Sequence, residues 1–425
     1  HLADEKFMDF SNDWMDEFKL RFSLGQTGNA ASGASLYLGS YASGDNYMDM
    51  SAITPSTMQL NRLKWETTTE YNTGLDASFL KGKLRFTVDV YQKYIKDLLQ
   101  KKVKMPTSIG YGNGYEVSYM NSGKMTNKGW EFRVDAVPFE NRDWRVGFYF
   151  NIAHNENKIT EMPDNYTEEN YTFNNGEYAY RREEGRPMGS FYGYRYKGVC
   201  QNKDATYARD ADGNVMKDIS GNAIVMRNGT ATIAPGDALY EDINHDGVIN
   251  QYDIVYLGNS NPRFTGGAGV NVSYKQFKLS AIFYGRYGQD VVNSTRLNNE
   301  SMRGIDNQST AVLRRWRNEG DMTEIPRALY GEGYNTLGSD RFVEDASFVR
   351  LKTLTLNYAF PKKICNRLGI NTLSCFATGY NLFTWTNYTG QDPEVNIPTK
   401  PTALAEDTAT TPVSIRFSFG INLNF

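Results

Sequence analysis

The run Asp242-Ile243-Asn244-His245-Asp246-Gly247-Val248-Ile249-Asn250-Gln251-Tyr252-Asp253 spaces its oxygen donors as a calcium loop does. Asp242, Asn244 and Asp246 stand at loop positions 1, 3 and 5. Val248 offers a main-chain carbonyl at position 7, and Asp253 closes the set at position 12. Gly247, at position 6, permits the sharp turn that folds the first three side chains around one ion. The last ligand is Asp rather than the longer Glu, which shortens its reach for bidentate coordination. The expected chemistry is structural: a bound Ca²⁺ stiffens the loop and catalyses nothing. Mg²⁺ fits less well, because it takes fewer protein ligands. The competing reading is a polar turn in which Asp246-Gly247 merely supplies turn geometry.

Other residues that could do chemistry do not form such a set. Three histidines, His1, His154 and His245, are too scattered for a catalytic or metal cluster, and no nucleophile stands beside a base in a pattern that points to an enzyme. Three cysteines are too few for a disulfide framework or a zinc site. Cys365 and Cys375 are placed so that they could pair, but Cys375 sits within an alternating run and reads more simply as a small strand residue. Asp210-Ala211-Asp212-Gly213-Asn214 looks like half a calcium loop and is expected to be a hairpin turn. Arg314-Arg315-Trp316-Arg317 is expected to be a surface turn held by ion pairs rather than an anion site. Tyr111, Tyr115, Tyr119, Tyr166 and Tyr171 lie in or beside long polar segments. Such rings can stack on sugar faces or pack on peptide side chains. Equally, they can pack the loops against each other or against a partner. A net charge of -3 leaves no basic patch for nucleic acid.

The elements that must position these residues are strands. At the end of the chain Phe417, Phe419, Ile421, Leu423 and Phe425 alternate with Arg416, Ser418, Gly420, Asn422 and Asn424. A strand has a side-chain period of two, so this segment has one oily and one wet face. About ten such residues, tilted, cross a bilayer. The rhythm recurs in Phe18–Leu24, in Tyr71–Phe79 and Leu84–Val90, in Trp130–Ala136 and Trp144–Ile152, in Val270–Tyr274 and Phe277–Phe283, and in Leu373–Ala377. Within 349–358 two oily sets compete: Val349 and Leu351 on odd positions, Leu354, Leu356 and Tyr358 on even ones. Roughly a dozen spanning strands are expected. Short turns alternate with long polar segments, as in outer-membrane barrels with short periplasmic turns and long extracellular loops. Aromatic residues make up 14% of the chain, which suits the girdles of such a barrel as well as a soluble β protein. A mean hydropathy of -0.58 and the lack of a long apolar run exclude a spanning helix but not spanning strands. The opening residues His1-Leu2-Ala3-Asp4 do not read as a signal peptide, and the chain is expected to be the C-terminal part of a larger barrel. A complete barrel of about twelve strands is the rival.

Several segments resemble the SusC/RagA family of TonB-dependent outer-membrane transporters. They are Leu20–Asn29, Leu63-Lys64-Trp65-Glu66 with Tyr71–Asp76, Asn121-Ser122-Gly123-Lys124 with Asn127–Glu131, and Gly193-Tyr194. Pro235-Gly236-Asp237 followed by Asp242–Gly247 is similar too, as are Leu257-Gly258-Asn259 with Pro262, Ser347–Lys352, and Gly379–Phe383. Their shared order spans nearly the whole chain. The resemblance implies an all-β transmembrane antiparallel barrel of about 22 strands, plugged by an N-terminal domain that this chain lacks. It implies a SusD-like lipoprotein over the extracellular mouth, and TonB pulling on the plug from the periplasm. It further implies glycan or peptide cargo and a dimer of transporter–lipoprotein pairs. The expected setting is the bacterial outer membrane, in contact with its lipid, and the expected function is energised import of oligomeric nutrients. A passive porin or structural barrel is the alternative.

Overall fold

The computed structural model describes residues 14–33, 36–48, 50–105, 107–111, 115–162, 178–180, 183–394 and 405–425. Ten long strands carry the fold: β1 (Met15–Asn29), β2 (Glu66–Phe79), β3 (Leu84–Lys96), β4 (Lys124–Glu140), β5 (Trp144–Glu161), β6 (Phe264–Tyr274), β7 (Phe277–Tyr287), β8 (Phe348–Ala359), β9 (Thr372–Thr386) and β10 (Arg416–Asn424). Ten is the count among the described residues, against the rough dozen expected. Two further strand pairs, Ser40–Tyr47 with Met50–Thr57 and Leu99–Lys104 with Glu116–Asn121, are separate hairpins inside the long connections. The chain divides into two compact units, His1–Pro138 with Tyr149–Glu168 and Arg182–Pro187, and Phe139–Phe148 with Glu169–Arg181 and Met188–Phe425.

In the first unit the strands run β1-β2-β3-β4, antiparallel, and β5 follows β4. Register turns the sequence rhythm into rows. Leu20, Leu75, Val88 and Phe132 lie side by side, and so do Phe22, Thr73, Val90 and Trp130. On the other face Arg21, Gly74, Asp89 and Glu131 form one row, and Lys19, Asp76, Thr87 and Arg133 the next. The oily face is bare: Phe22 is 72% exposed. Each such side chain left in water would forgo about 1.5–3 kcal/mol of burial, which lipid supplies instead.

The second unit repeats the arrangement with β6-β7-β8-β9-β10 in sequence order. Its oily rows are Phe277, Tyr358, Cys375 and Ile421, then Leu279, Leu356, Ala377 and Phe419. Phe419 is 78% exposed. The ambiguity within 349–358 has a structural cause. The register of β8 shifts between Leu351 and Thr353 against β9, and between Ile282 and Phe283 against it on β7. The extra residue, Lys352, switches parity. Val349 and Leu351 join the rows of Phe283, Phe383 and Trp385, while Leu354, Leu356 and Tyr358 join those of Ala281, Leu279 and Phe277. Both oily sets therefore face the same way.

Dry packing is found in the connections instead. Three clusters of buried residues fall outside the ten strands: Tyr194, Ala238, Tyr240, Ile249 and Leu337; Val291, Ala346, Tyr388 and Ala405; and Met302, Val312 and Ile325. The long connections are thus folded bodies, and the first of these clusters includes Ile249 from the calcium-type loop.

Candidate functional site

The loop Asp242–Asp253 begins just after the short strand Ala238–Tyr240 and ends in the single 3-10 turn Gln251–Asp253. Positive φ at His245 and Gly247 folds its first half back on itself. Gly247 N–H donates to Asp242 Oδ2 at 2.8 Å, and Asp246 N–H donates to Asp242 Oδ1 and Asn244 Oδ1, both at 3.2 Å. Val248 N–H donates to Asp246 Oδ1 at 2.7 Å. The three leading side chains are therefore drawn into one turn by main-chain amides. Asp253 is fully buried and latches the loop shut, its Oδ1 accepting from Ile243 N–H and its Oδ2 from Asn250 N–H, each at 2.8 Å. Burial pushes the Asp253 carboxyl above its usual range despite these amides, and the charge of Asp242 adds to the rise.

Among the described residues no three His, Cys, Asp or Glu side chains converge as a metal centre on their own. The candidate set here mixes the carboxylates of Asp242, Asp246 and Asp253 with the Asn244 amide and the Val248 carbonyl. Asp210–Asn214 is the expected turn: Asp210 N–H donates to Asn214 O, and Gly213 N–H to Asp210 O. A twin turn at Asp218–Asn222, which the sequence reading missed, repeats its bonds eight residues on. The signal was the recurrence of Asp-x-x-Gly-Asn.

The loop aromatics are mostly engaged. Tyr111 and Tyr115 stack with ring centroids 4.7 Å apart, and the Tyr115 hydroxyl accepts from Met58 N–H at 2.6 Å. Tyr119 is buried, its hydroxyl 2.7 Å from Ser32 Oγ. Tyr166 and Tyr171 lie outside the described residues. In the arginine run, carbonyls rather than carboxylates take the guanidinium protons: Arg315 donates to Val312 O and Arg317 to Leu313 O. Cys365 and Cys375 are free thiols, not a bridge. Burial pushes the Cys200 thiol up to about 11, which leaves it protonated and unreactive at neutral pH.

The wet face of the first unit is charged and self-paired. Arg21 bridges Asp76 at 2.8 Å and Asp89 at 3.0 Å, and Arg133 pairs with Asp135 at 2.7 Å. The guanidinium of Arg21 passes over Gly74, where a Cβ would lie 2.6 Å from the Asp89 carboxylate and 2.7 Å from the guanidinium carbon. On a lipid-facing surface the basic members of this network would each cost about 2–4 kcal/mol near the midplane. The face thus belongs to an aqueous interior.

Residues 9–382 match the family described as TonB dependent receptor-like, beta-barrel. The chain belongs to this family. Within it the chain is of the SusC/RagA type. It is 29% identical over its whole length to TonB-dependent receptor P3 of Formosa agariphila, covering 41% of that protein. It is 27% identical to TonB-dependent receptor SusC of Bacteroides thetaiotaomicron, again over all of this chain and 39% of the relative. Its fold is that of the RagAB peptide importer in the closed-closed state, with a TM-score of 0.73 at 23% identity, covering all of this chain and 42% of that one. The RagAB peptide transporter gives 0.71 at 24% identity with the same coverage. The chain spans about two-fifths of the length of these relatives. With bare oily rows on one side and paired charges on the other, this SusC/RagA-type chain is an outer-membrane β-barrel chain. The family is one of receptors and transporters rather than enzymes.

Proposed function

We propose that these strands are the C-terminal part of the barrel of a TonB-dependent importer that works with a SusD-like surface lipoprotein and takes up oligomeric nutrients, glycan or peptide. The observation that carries the reading is the family match across 9–382, joined to folded long connections on one side of the strands. Such connections offer a broad surface for a lid and for cargo, which a porin of bare loops would not need. The similarity to the RagAB peptide importer suits peptide cargo. Uptake of labelled oligosaccharides and oligopeptides by cells with and without the intact gene tests the proposal. Loss of one uptake in the deletion, and its collapse when a protonophore removes the proton gradient, is the expected result. Uptake that survives the protonophore would instead mark a passive pore. Pull-down of the intact protein from membranes tests the lipoprotein partner.

The loop Asp242–Asp253 is assigned a structural Ca²⁺ on the same footing. The carboxylates of Asp242 and Asp246 share one turn of the loop with the Asn244 amide, and among the described residues neither carboxylate pairs with Lys or Arg. Asp253 is buried there with its carboxyl already pushed up. Asp242, Asn244 and Asp246 side chains, the Val248 carbonyl and Asp253 are the residues that would hold the ion. The ion would supply positive charge to that turn and stiffen the body around Ile249.

A further inference from the structure

The connection between β8 and β9 lies on the same side of the strands as the short turn at 275–276, the periplasmic side in outer-membrane barrels. It is not a plain turn. After Phe360-Pro361 it forms the six-residue helix Lys362–Arg367 and leaves through Gly369, whose φ of +68° suits a glycine after a helix. Cys365 and Ile370 are buried and pin the helix against the barrel end. The rest of its surface is bare. Ile364 and Leu368, four residues apart and so on one face, are 41% and 61% exposed. Beside them Lys362, Lys363 and Arg367 are all exposed, and among the described residues none of the three has an ion-pair partner.

Two observations say what covers this surface. First, it continues the lipid-facing band. Phe277 and Tyr358 meet at 4.7 Å, Tyr358 and Phe360 at 5.0 Å, and Trp144 and Tyr274 at 4.3 Å, an aromatic belt at this end of the strands. Asn371 N–H donates to Asn424 O, so the bare end of β10, with Leu423 and Phe425, runs beside the same turn. Second, the charge is of one sign. Aliphatic side chains at the edge of a lipid band, flanked by three unpaired cations and no carboxylate between Lys362 and Gly369, complement an anionic headgroup layer.

We propose that the helix Lys362–Arg367 is a membrane foot that binds anionic phospholipid headgroups of the periplasmic leaflet. Ile364 and Leu368 rest at the acyl boundary, while Lys362, Lys363 and Arg367 gather lipid phosphates around the barrel end. The inference rests on the outer-membrane reading of the strands. Its test is the intact, full-length protein in detergent micelles, offered equal phosphatidylglycerol and phosphatidylcholine and examined by native mass spectrometry. The unsubstituted protein is expected to retain phosphatidylglycerol preferentially. The combined variant Lys362→Ala, Lys363→Ala and Arg367→Ala should lower the phosphatidylglycerol-to-phosphatidylcholine ratio about tenfold in moderate salt. Exchanging the same residues for the other basic type, Lys362→Arg, Lys363→Arg and Arg367→Lys, should preserve the ratio. Leu368→Asp should lower it as well. An unchanged ratio in the triple alanine variant overturns the proposal, as does an unsubstituted protein that retains both lipids equally. A failure of the barrel reading looks different: phosphatidylcholine would then be lost together with phosphatidylglycerol from every form of the protein.

Discussion

Replacing Arg350 by Met should release the segment that follows β9 from the strands beneath it. Arg350 is 1% exposed, and its guanidinium reaches Asp392 Oδ1 at 2.5 Å, Glu394 Oε2 at 2.6 Å and Thr384 Oγ1 at 2.8 Å. Asp392 in turn accepts from Glu394 N–H at 2.9 Å and from Val413 N–H at 3.0 Å, so one arginine secures both sides of the last long connection. Methionine keeps most of the side-chain volume, so the loss is electrostatic. Removing one partner of a buried pair costs about 3–5 kcal/mol, because it strands the other charge. Glu394 would keep Lys352 at 2.8 Å, which leaves Asp392 as the stranded group and places the cost at the low end, about 3 kcal/mol. At 1.36 kcal/mol per factor of ten, amide exchange in 387–394 and 405–415 should quicken on the order of 100-fold. Hydrogen exchange read by mass spectrometry on the full-length protein measures it. A change under about threefold would show that Arg350 is not what holds the segment. The pH dependence has a fixed sign. Burial pushes the Asp392 carboxyl up, but the amides of Val413 and Glu394 and the Arg350 guanidinium outweigh it and hold it below its ordinary value. A depressed carboxylate stabilises the fold fully above its unfolded value, near 3.9, and loses that contribution as pH falls through the folded one. The tether should therefore hold from pH 5 upward and loosen only in acid below about 4.

Other perturbations test other parts of the structure. Chelator should speed proteolysis of the Asp242–Asp253 loop in the unsubstituted protein and have no further effect on Asp246→Ala; equal cleavage with and without chelator in the unsubstituted protein would remove the calcium assignment. Phe419→Arg, on a bare oily row, should cost up to about 2–4 kcal/mol in folding into vesicles, whereas Ser418→Arg on the wet face should cost little. Equal costs in a urea titration would contradict the assignment of faces. Gly193→Ala would put a Cβ 2.4 Å from Gly338 O, a main-chain atom that cannot swing aside, and should destabilise the Tyr194 cluster by about 1–3 kcal/mol, seen as faster exchange in that body alone. Tyr119→Phe should loosen the contact with Ser32 and leave cargo affinity unchanged, since the ring is buried; a loss of affinity would return this tyrosine to the cargo surface.

The alternation was legible along the whole chain because a strand's period of two needs no tertiary partner to be read. It placed all ten strands, the oily faces of all but 349–358, and the short turns; the same parity puts Arg21, Asp76 and Asp89 on the face opposite the oily rows, where they pair. The Asp242–Asp253 ligand spacing was legible for the same reason: its geometry is local to twelve consecutive residues. What sequence left open was long-range. Lys352 switches parity only because β7 and β9 shift register beside it, so the two oily sets of 349–358 could not be reconciled from one strand. Arg350 lies 42 residues from Asp392, and the Tyr194 cluster gathers Ala238, Ile249 and Leu337 from distant stretches. Such pairings carry no periodic signature. Chain closure over long loops decides them, and only the folded connections show which charges and rings meet.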